Sequence, residues 1–189
     1  MERADGQMVA GDIVDLLRRD HARIRSRLVR SAADSADRRW MAFSEASELI
    51  IRHEVGEEVV VYPELVDLPG GAALSGSRLE EQSAVETLLV ALDRQEFESP
   101  GFRKDALRLG SAVLGHLEQE DAQVLPLLAT VLGPRRRAEL GRRFLEVVRV
   151  APARRMVAAG VPTGPAIVDR TSAVSIFMRD SAAPGNLAS

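Results

Sequence analysis

Hydrophobic positions along most of the chain recur at alternating spacings of three and four residues, the pattern of helices that bury one face. Stretches rich in proline, glycine and serine interrupt this pattern and divide it into four long segments. These breaks, with a capping residue at Asp12, predict helices over about 12–32, 38–61, 77–95 and 102–131. The second helix should end near Tyr62-Pro63, because proline disfavours a helical residue before it. A bend or an end is expected at Pro126 in the fourth helix.

The short connections predict an all-α protein whose residues 10–132 form an up-down-up-down four-helix bundle, with 68–76 as a loop. A proline at the first turn opens an additional short basic helix over 134–150, which we expect to pack on the bundle. Residues 151–189 form a C-terminal tail, in which 165–179 could make one amphipathic helix. That helix would cover an end of the bundle, or serve a protein partner or a membrane surface. Its shortness and its low basic charge favour packing.

The composition narrows the class of protein. Hydrophobic residues make up 46% and charged residues 28% of 189 residues, which is typical of a globular chain, and an aromatic content of 4% favours helices over β-sandwiches. The absence of cysteine excludes disulfides, thiolate metal sites and iron–sulfur clusters. A net charge of -3 gives no electrostatic case for nucleic acid as a partner. No signal peptide and no apolar run of ~18 residues is found, so we expect a cytoplasmic protein without membrane spans.

Ionisable residues interrupt the apolar seams of two helices. His53 and Glu57 occupy seam positions of the second helix where leucine would be expected, and His116 and Glu120 do so in the fourth. A spacing of four residues places both members of each pair on one helix face. The third histidine of the chain, His21, also falls on an inward stripe of the first helix. All the histidines of the chain are therefore predicted to face the middle of the bundle.

The two pairs belong to a longer internal repeat. The stretches 51–65 and 114–128 align at an offset of 63 residues, with the histidine, the glutamate, a second acid, the proline and a leucine in common. The preceding helices also correspond, with Asp20-His21 in the first matching Glu81-Gln82 in the third. The bundle therefore resembles two copies of one helix hairpin, an arrangement that suits two metal ions on the axis between them.

Neutral imidazole and carboxylate together form a ligand set for iron, manganese or zinc. A bundle core can assemble such a set from facing helices, and carboxylates can bridge two cations while their charges are offset. The alternative is that each histidine is a hydrogen-bonded core residue. The repetition of the pair at matching positions favours a metal site.

These motifs resemble the hemerythrin-like (HHE cation-binding) family over about residues 10–130. The resemblance implies a non-haem di-iron centre in a four-helix bundle, in proteins that bind oxygen, respond to oxygen, nitric oxide or iron, or break down peroxide. Carried over by position, it implies His21 and His53 as terminal ligands of one iron and His116 as a terminal ligand of the other. Glu57 and Glu120 would be the bridging carboxylates. Two iron ions are expected, with one ion or manganese as open alternatives.

The chain departs from the family pattern at Gln82, where the third helix should supply a histidine. Glu86 lies four residues further on the same face, and we hypothesise that Gln82 and Glu86 serve the second iron. An alternative seam through Val85 and Leu89 would turn Glu86 towards the rim and leave a single-metal site open. Tyr62, nine residues after His53, would point away from the site unless the helix is distorted before the following proline.

Three functions are compatible with this sequence. The first is a di-iron protein that binds or reacts with oxygen, nitric oxide or peroxide, in sensing, iron handling or oxidative-stress defence. The small number of histidines and the anionic oxygen ligands favour redox reaction, iron handling or sensing over reversible oxygen transport. The second is a catalase-like enzyme that decomposes peroxide, and the third is a metal-free helical module that binds a protein partner.

Overall fold

The computed structural model describes residues 11–33 and 36–151, and every regular element in these ranges is helical. This confirms the all-α prediction for the described part of the chain. The tail helix expected over 165–179 lies outside the described residues. The elements are α1 (Ile13–Ala33), α2 (Ala36–Gly56), π1 (Glu57–Val61), α3 (Tyr62–Val66), α4 (Gly71–Asp93), α5 (Pro100–Gln119), π2 (Glu120–Val124), α6 (Leu125–Val131) and α7 (Pro134–Val150).

The elements α1 to α3 form a first helix hairpin. Helix α2 continues through π1 into α3 without a break, so that these three elements make one long rod. Arg27 on α1 pairs with Glu45 on α2 at 3.1 Å, and further back along α1 Asp20 approaches His53 at 4.0 Å. Because the contacts move backward along one helix as they move forward along the other, the two rods are antiparallel.

The elements α4 to α6 form a second hairpin of the same design. Helix α5 continues through π2 into α6. Glu81 on α4 contacts His116 on α5 at 2.9 Å, and Gln95, just after α4, donates to Asp105 at 2.9 Å, so these rods are also antiparallel. The hairpins meet where α3 packs on α4 and where α1 packs on α5 and α6. Each rod therefore contacts two others around a shared core.

Helix α4 begins earlier than the sequence predicted. The loop expected over 68–76 is shorter, because α4 starts at Gly71 rather than near Ser77. Gly70 adopts a left-handed conformation with φ of 76°, which reverses the chain directly before the helix. A Cβ at Gly71 would lie 1.8 Å from the carbonyl oxygen of Leu65, so only glycine permits this close start. Residues 71–76, which the sequence pattern assigned to a loop, therefore form the first turns of α4.

Both prolines predicted to end or bend helices are accommodated within continuous rods. The second rod passes Pro63 and ends at Val66, and the fourth passes Pro126 and ends at Val131. The prediction that the second helix ends near Tyr62-Pro63 is wrong. The physical reason is that a wider π turn precedes each proline and lets the helix continue past it.

Helix α7 packs on α1, α2 and π1. Arg137 pairs with Asp12 at 2.6 Å, and Arg136 pairs with Glu64 at 2.6 Å, so the start of the first rod and the end of the second are both tied to α7. Phe144, on the inner face of α7, is fully buried. In the described part of the chain, no helix is long and apolar enough to cross a membrane.

The buried apolar residues form two clusters, one towards each end of the rods. Along α1, Leu17 belongs to one cluster and Ile24 to the other, and His21 lies between them. Along α5 and π2, His116 and Glu120 lie next to the same division. The core is therefore divided by a layer of buried polar side chains, and these are His21, His53, Glu57, Gln82, His116 and Glu120.

Candidate metal centre

Two matching π turns position the carboxylates of the buried layer. Glu57 is the first residue of π1 and Glu120 the first residue of π2. In each turn the backbone N–H of the residue before the proline donates to the carbonyl of that glutamate, five residues back. Proline lacks an N–H and its ring clashes with the carbonyl four residues before it, and a turn widened by one residue relieves this clash. The two prolines therefore determine where both rods widen.

Four buried side chains converge on one point between the hairpins. His21, His53, Glu57 and Glu120 each offer one ligand atom, and these atoms all lie within 4.8 Å of one another. His53 Nε2 lies 3.2 Å from Glu57 Oε1, and His21 Nε2 lies 3.4 Å from Glu120 Oε2. These four atoms have no hydrogen-bond partner among the described residues. We call the point they surround the first position.

The donor set of the first position fits a divalent metal ion. Two imidazole nitrogens and two carboxylate oxygens suit iron, manganese or zinc. Buried polar atoms without hydrogen bonds are costly, and a cation contacting all four would satisfy each of them. Buried polar atoms that stay unsatisfied destabilise a core, so this arrangement is typical of a binding site rather than of a structural core.

Outer carboxylates orient the imidazoles of the centre. His21 Nδ1 lies 2.7 Å from Asp121 Oδ1, and the other oxygen of Asp121 accepts from Arg25 at 2.6 Å. Burial would raise the pKa of Asp121, but the His21 hydrogen bond and the Arg25 guanidinium together hold it below its ordinary value. With Nδ1–H donating outward, the lone pair of His21 Nε2 faces the first position. His116 is held in the same manner, since its Nδ1 lies 2.9 Å from Glu81 Oε2.

A different set of groups lines the second oxygen of Glu57, and one of them, His116, also approaches Glu120 Oε2, the oxygen that faces the first position. His116 Nε2 lies 3.5 Å from Glu120 Oε2 and 4.0 Å from Glu57 Oε2. Gln82 Nε2 donates to Glu57 Oε2 at 2.8 Å and lies 2.6 Å from the hydroxyl of Tyr62. We call this the second position. A half-turn of the Gln82 amide would place its oxygen at the same point, so Gln82 can donate to Glu57 or serve as a neutral oxygen ligand.

Tyr62 lies inside the centre. Its hydroxyl donates towards Glu120 Oε1 at 2.9 Å and lies 3.3 Å from Glu57 Oε2. An undistorted helix would have directed this side chain elsewhere, and π1 supplies the distortion. Burial raises the pKa of Tyr62 well above its ordinary value, and the two nearby carboxylates raise it further, so the phenol retains its proton.

Glu86 is only half-buried on α4. Among the described residues, the group of mutually close ligand atoms does not include it. Val85 and Leu89 are buried on the same helix, so the alternative seam is the one that faces the core. The part proposed for Glu86 in a metal site stays a prediction.

The electrostatics of the centre call for positive charge inside it. Burial lowers the pKa of His53, but Glu57 and Glu120 outweigh it and raise the pKa to about 9. Burial likewise lowers the pKa of His116, but the same carboxylates and Glu81 raise it to about 10. Burial raises the pKa of Glu57, and the two imidazoles bring it well below its ordinary value. In Glu120, burial and the Glu57 charge together raise the pKa. Protons supply this positive charge in the metal-free protein, and a bound cation would replace them.

Helix α7 covers the first position from outside the two hairpins. The ring of Phe144 lies 6.2 Å from the ring of His53. Gly56, one residue before π1, lets the ring approach, because a Cβ there would lie 2.4 Å from Phe144 Cε2. The arrangement excludes water from one side of the centre.

Sequence reasoning did not single out the outer residues of the centre. Arg78 on α4 is buried one turn before Gln82 and pairs with Glu81 at 2.8 Å. Its position in the repeat could have indicated that Arg78 is buried, because Arg78 corresponds to Leu17, a seam residue of the first hairpin. Asp121 stands directly after Glu120, where a second acid recurs in both copies of the repeat.

Comparison with known proteins identifies the family. The family model described as the hemerythrin HHE cation-binding domain matches residues 12–128, from the start of α1 into α6, and its match ends before α7. Searches of curated proteins and of solved structures returned no significant match. The matched range contains all the histidines and acids of the centre, and it covers more than half of the chain. The chain therefore belongs to the hemerythrin HHE cation-binding domain family.

Proposed function

We propose that this chain is a non-haem di-iron protein that binds or reacts with oxygen, nitric oxide or peroxide, in sensing, iron handling or oxidative-stress defence. The observation that carries the proposal is the convergence of four buried, unsatisfied ligand atoms on the first position. Membership of a cation-binding family supports the same chemistry. The ring of contacts among the four rods supports an up-down-up-down four-helix bundle as its scaffold.

The proposed ligands divide between two ions. His21 and His53 would hold one ion and His116 the other, with Glu57 and Glu120 bridging them. Gln82 and Tyr62 complete the surroundings of the second position, and Glu86 is retained as a candidate ligand there. Iron is the expected metal, and manganese or a single ion are the alternatives.

The chemistry that iron supplies when bound is electron donation to a small diatomic ligand or peroxide at an open coordination position. The chain's own residues prepare the surroundings for it. Phe144 and the two apolar clusters exclude water, which slows proton entry. The Tyr62 hydroxyl holds a proton 2.9 Å from Glu120 Oε1, on the side where Gln82 gives only a neutral group. Two anionic carboxylates favour the ferric state, which supports redox reaction or sensing over reversible oxygen transport.

Metal analysis and an absorption spectrum on one anaerobically iron-loaded sample test the proposal. About two irons per chain are expected in the wild type, and a loss of metal is expected in His53→Ala. Glu118→Gln, an exposed acid on α5, is the matched control and should bind metal as the wild type does. A ligand present at 100 times its Kd stabilises the fold by about 2.7 kcal/mol, so a chelator should lower the Tm clearly. A protein that contains no stoichiometric metal and melts at the same temperature with a chelator is instead the metal-free module.

The proton held at Tyr62 Oη favours a second candidate, catalase-like decomposition of peroxide. In that reaction two molecules of hydrogen peroxide give two of water and one of oxygen, and a nearby acid assists the departure of water. Oxygen evolution by the iron-loaded protein is the readout. Loss of this activity in His53→Ala, and a reduced rate in Tyr62→Phe, would support it. Failure of the wild type to evolve oxygen would leave binding or sensing as the function.

A further inference from the structure

Arg78 is a charged residue in an otherwise core-facing seam of α4. Its side chain is 5% exposed, and it lies one turn before Gln82 on the same helix face. Leu17 occupies the corresponding place in the first hairpin, 61 residues earlier, at the same offset that relates His21 to Gln82. A guanidinium thus stands where the repeated scaffold accepts leucine. Because burying a charge is costly, its presence requires a compensating role.

The contacts of Arg78 lead to the metal centre. Its Nη2 lies 2.8 Å from Glu81 Oε1, and the other oxygen of Glu81 lies 2.9 Å from His116 Nδ1. The remaining contact of Nη2 is with Ser77 Oγ at 3.2 Å. Its Nε and Nη1 have no hydrogen-bond partner among the described residues, so the arginine is poorly placed to stabilise the fold for its own sake. The short contacts are those that link Arg78 to Glu81 and Glu81 to His116.

Glu81 needs an anchor to act on His116. Its side chain is 35% exposed, and a free carboxylate at that depth could turn outward and be hydrated. The Arg78 guanidinium holds one carboxylate oxygen inside and leaves the other to accept from the imidazole. Arg25 holds Asp121 beside His21 in the same way at 2.6 Å, but Arg25 is itself 36% exposed. An arginine, a carboxylate and a histidine are therefore linked in this way at both positions, and the arginine is buried only at the second.

We propose that Arg78 is a positioning residue for the second position, acting through Glu81 to keep His116 Nε2 turned towards the bridging carboxylates. This inference rests on the proposed metal-binding function. It gives a partner to the one imidazole that the second hairpin contributes. It also explains why arginine replaces leucine only in that hairpin, where Gln82 offers a neutral amide in place of a second imidazole.

Titration of metal-free protein with Co²⁺, followed by absorption, tests the proposal. Arg78→Leu introduces the residue found at the corresponding position of the first hairpin. Loss of an outer partner typically costs about 10–100-fold in metal affinity, so the second equivalent should weaken by that factor while the first is unchanged. Arg78→Lys, which keeps the charge, should recover part of the loss. Arg25→Leu is the matched control, and any weakening in it should fall on the first equivalent.

Two further readouts separate positioning from a purely structural role. In metal-free protein, the Nδ1 proton of His116 should give a downfield NMR signal that weakens or shifts in Arg78→Leu and persists in Arg25→Leu. The unfolding midpoint in urea should not fall in Arg78→Leu, because replacing a buried ion-pair member that is poorly satisfied by leucine removes a desolvation cost. Arg78→Met fills the same space more adaptably and is measured in the same way if the leucine variant fails to fold.

The outcomes that overturn the proposal are distinct from those that overturn metal binding. Equal weakening of both equivalents, an unchanged second equivalent, or a wild type that takes up only one equivalent would each sink the role of Arg78. A wild type that binds no metal would sink the proposed function instead. In that case the His116 proton signal still decides whether Arg78 holds the Glu81–His116 pair.

Discussion

The two helix hairpins meet at one centre but equip it differently. The first hairpin supplies His21 and His53, whose Nε2 atoms both face the first position without a hydrogen bond. The second hairpin supplies only His116 as an imidazole, because Gln82 stands where His21 would be repeated. Gln82 donates to Glu57, so in the absence of metal the second position is closed by hydrogen bonds. The first position, by contrast, consists of atoms without a hydrogen-bond partner among the described residues.

The two hairpins share their backbone design and differ in one candidate ligand, His21 in the first and Gln82 in the second. Both hairpins keep the π turn and the glutamate at its start, so the repeat preserves the backbone geometry of the centre. The outer carboxylates beside His21 and His116 both come from the second hairpin. A single change from histidine to glutamine alters only the strength with which one side would hold a metal. Unequal affinity of two metal positions is therefore the behaviour that the comparison predicts, and variants can test it side by side.

Glu57→Gln should have the largest effect, because Glu57 faces both positions. The neutral amide cannot offset two cations, and it leaves the His53 and His116 charges without their main partner. Loss of an outer partner typically lowers metal affinity by about 10–100-fold. Because Glu57 would contact the metal directly, affinity should fall by more than about 100-fold at both positions. Metal analysis after gel filtration is the measurement, with Glu118→Gln as control. Retention of one tightly held ion would show that the carboxylate does not bridge.

Removing one histidine at a time should separate the two positions. His53→Ala is expected to abolish the tighter Co²⁺ equivalent and leave the weaker one, while His116→Ala should do the reverse. The reason is that the two imidazoles approach different oxygens of Glu57, His53 Nε2 lying 3.2 Å from Oε1 and His116 Nε2 4.0 Å from Oε2. The titration is followed by absorption of the bound Co²⁺. The same loss in both variants would mean that the centre is a single position shared by all three histidines.

Gln82→His should make the two hairpins alike. An imidazole in place of the amide gives the second position the ligand that His21 gives the first, and we expect the second equivalent to bind about tenfold more tightly, or about 1.4 kcal/mol. Competition with a chromophoric chelator measures this change. Gln119→His places a new histidine on the exposed face of α5 and should leave both affinities unaltered. An unchanged second equivalent in Gln82→His would contradict the assignment of that side as a metal position.

Periodicity was sufficient to predict the helices and the burial of the three histidines, which is confirmed. The spacing of four residues also placed His53 with Glu57 and His116 with Glu120 on inward faces, because helical geometry alone determines that neighbourhood. The start of α4 could not be predicted in this way. Its entry depends on the contact of Gly71 with the backbone of Leu65, which is distant in the pattern and is set by tertiary packing.

The π turns explain the errors near the prolines. A regular helix would continue the seam of the fourth rod through Gln123, but Gln123 is exposed and Val124 is buried instead. One extra residue per turn shifts every later side chain by about one position. The second rod shows the same shift, since Leu65 is buried where the regular pattern placed Glu64 inward. Proline signals the position of such a distortion in the sequence, but whether the helix ends, bends or widens depends on what packs around it.

Tyr62→Phe should have the smallest effect, and it tests what the π turn of the first hairpin contributes. The aligned residue in the second hairpin is Leu125, so that hairpin builds its side of the centre without a hydroxyl. Tyr62 contacts Glu120, Glu57 and the Gln82 amide. Without the hydroxyl, Glu120 keeps its contact with His116, and Glu57 keeps its hydrogen bond from Gln82. The metal-free protein should therefore lose only about 1 kcal/mol of unfolding free energy, the net value of an ordinary hydrogen bond. Urea unfolding with a chelator present measures this loss, and the first Co²⁺ equivalent should be unaffected. Unchanged stability would mean that the hydroxyl contributes nothing in solution, and a weakened first equivalent would mean that Tyr62 acts on both positions rather than on the second.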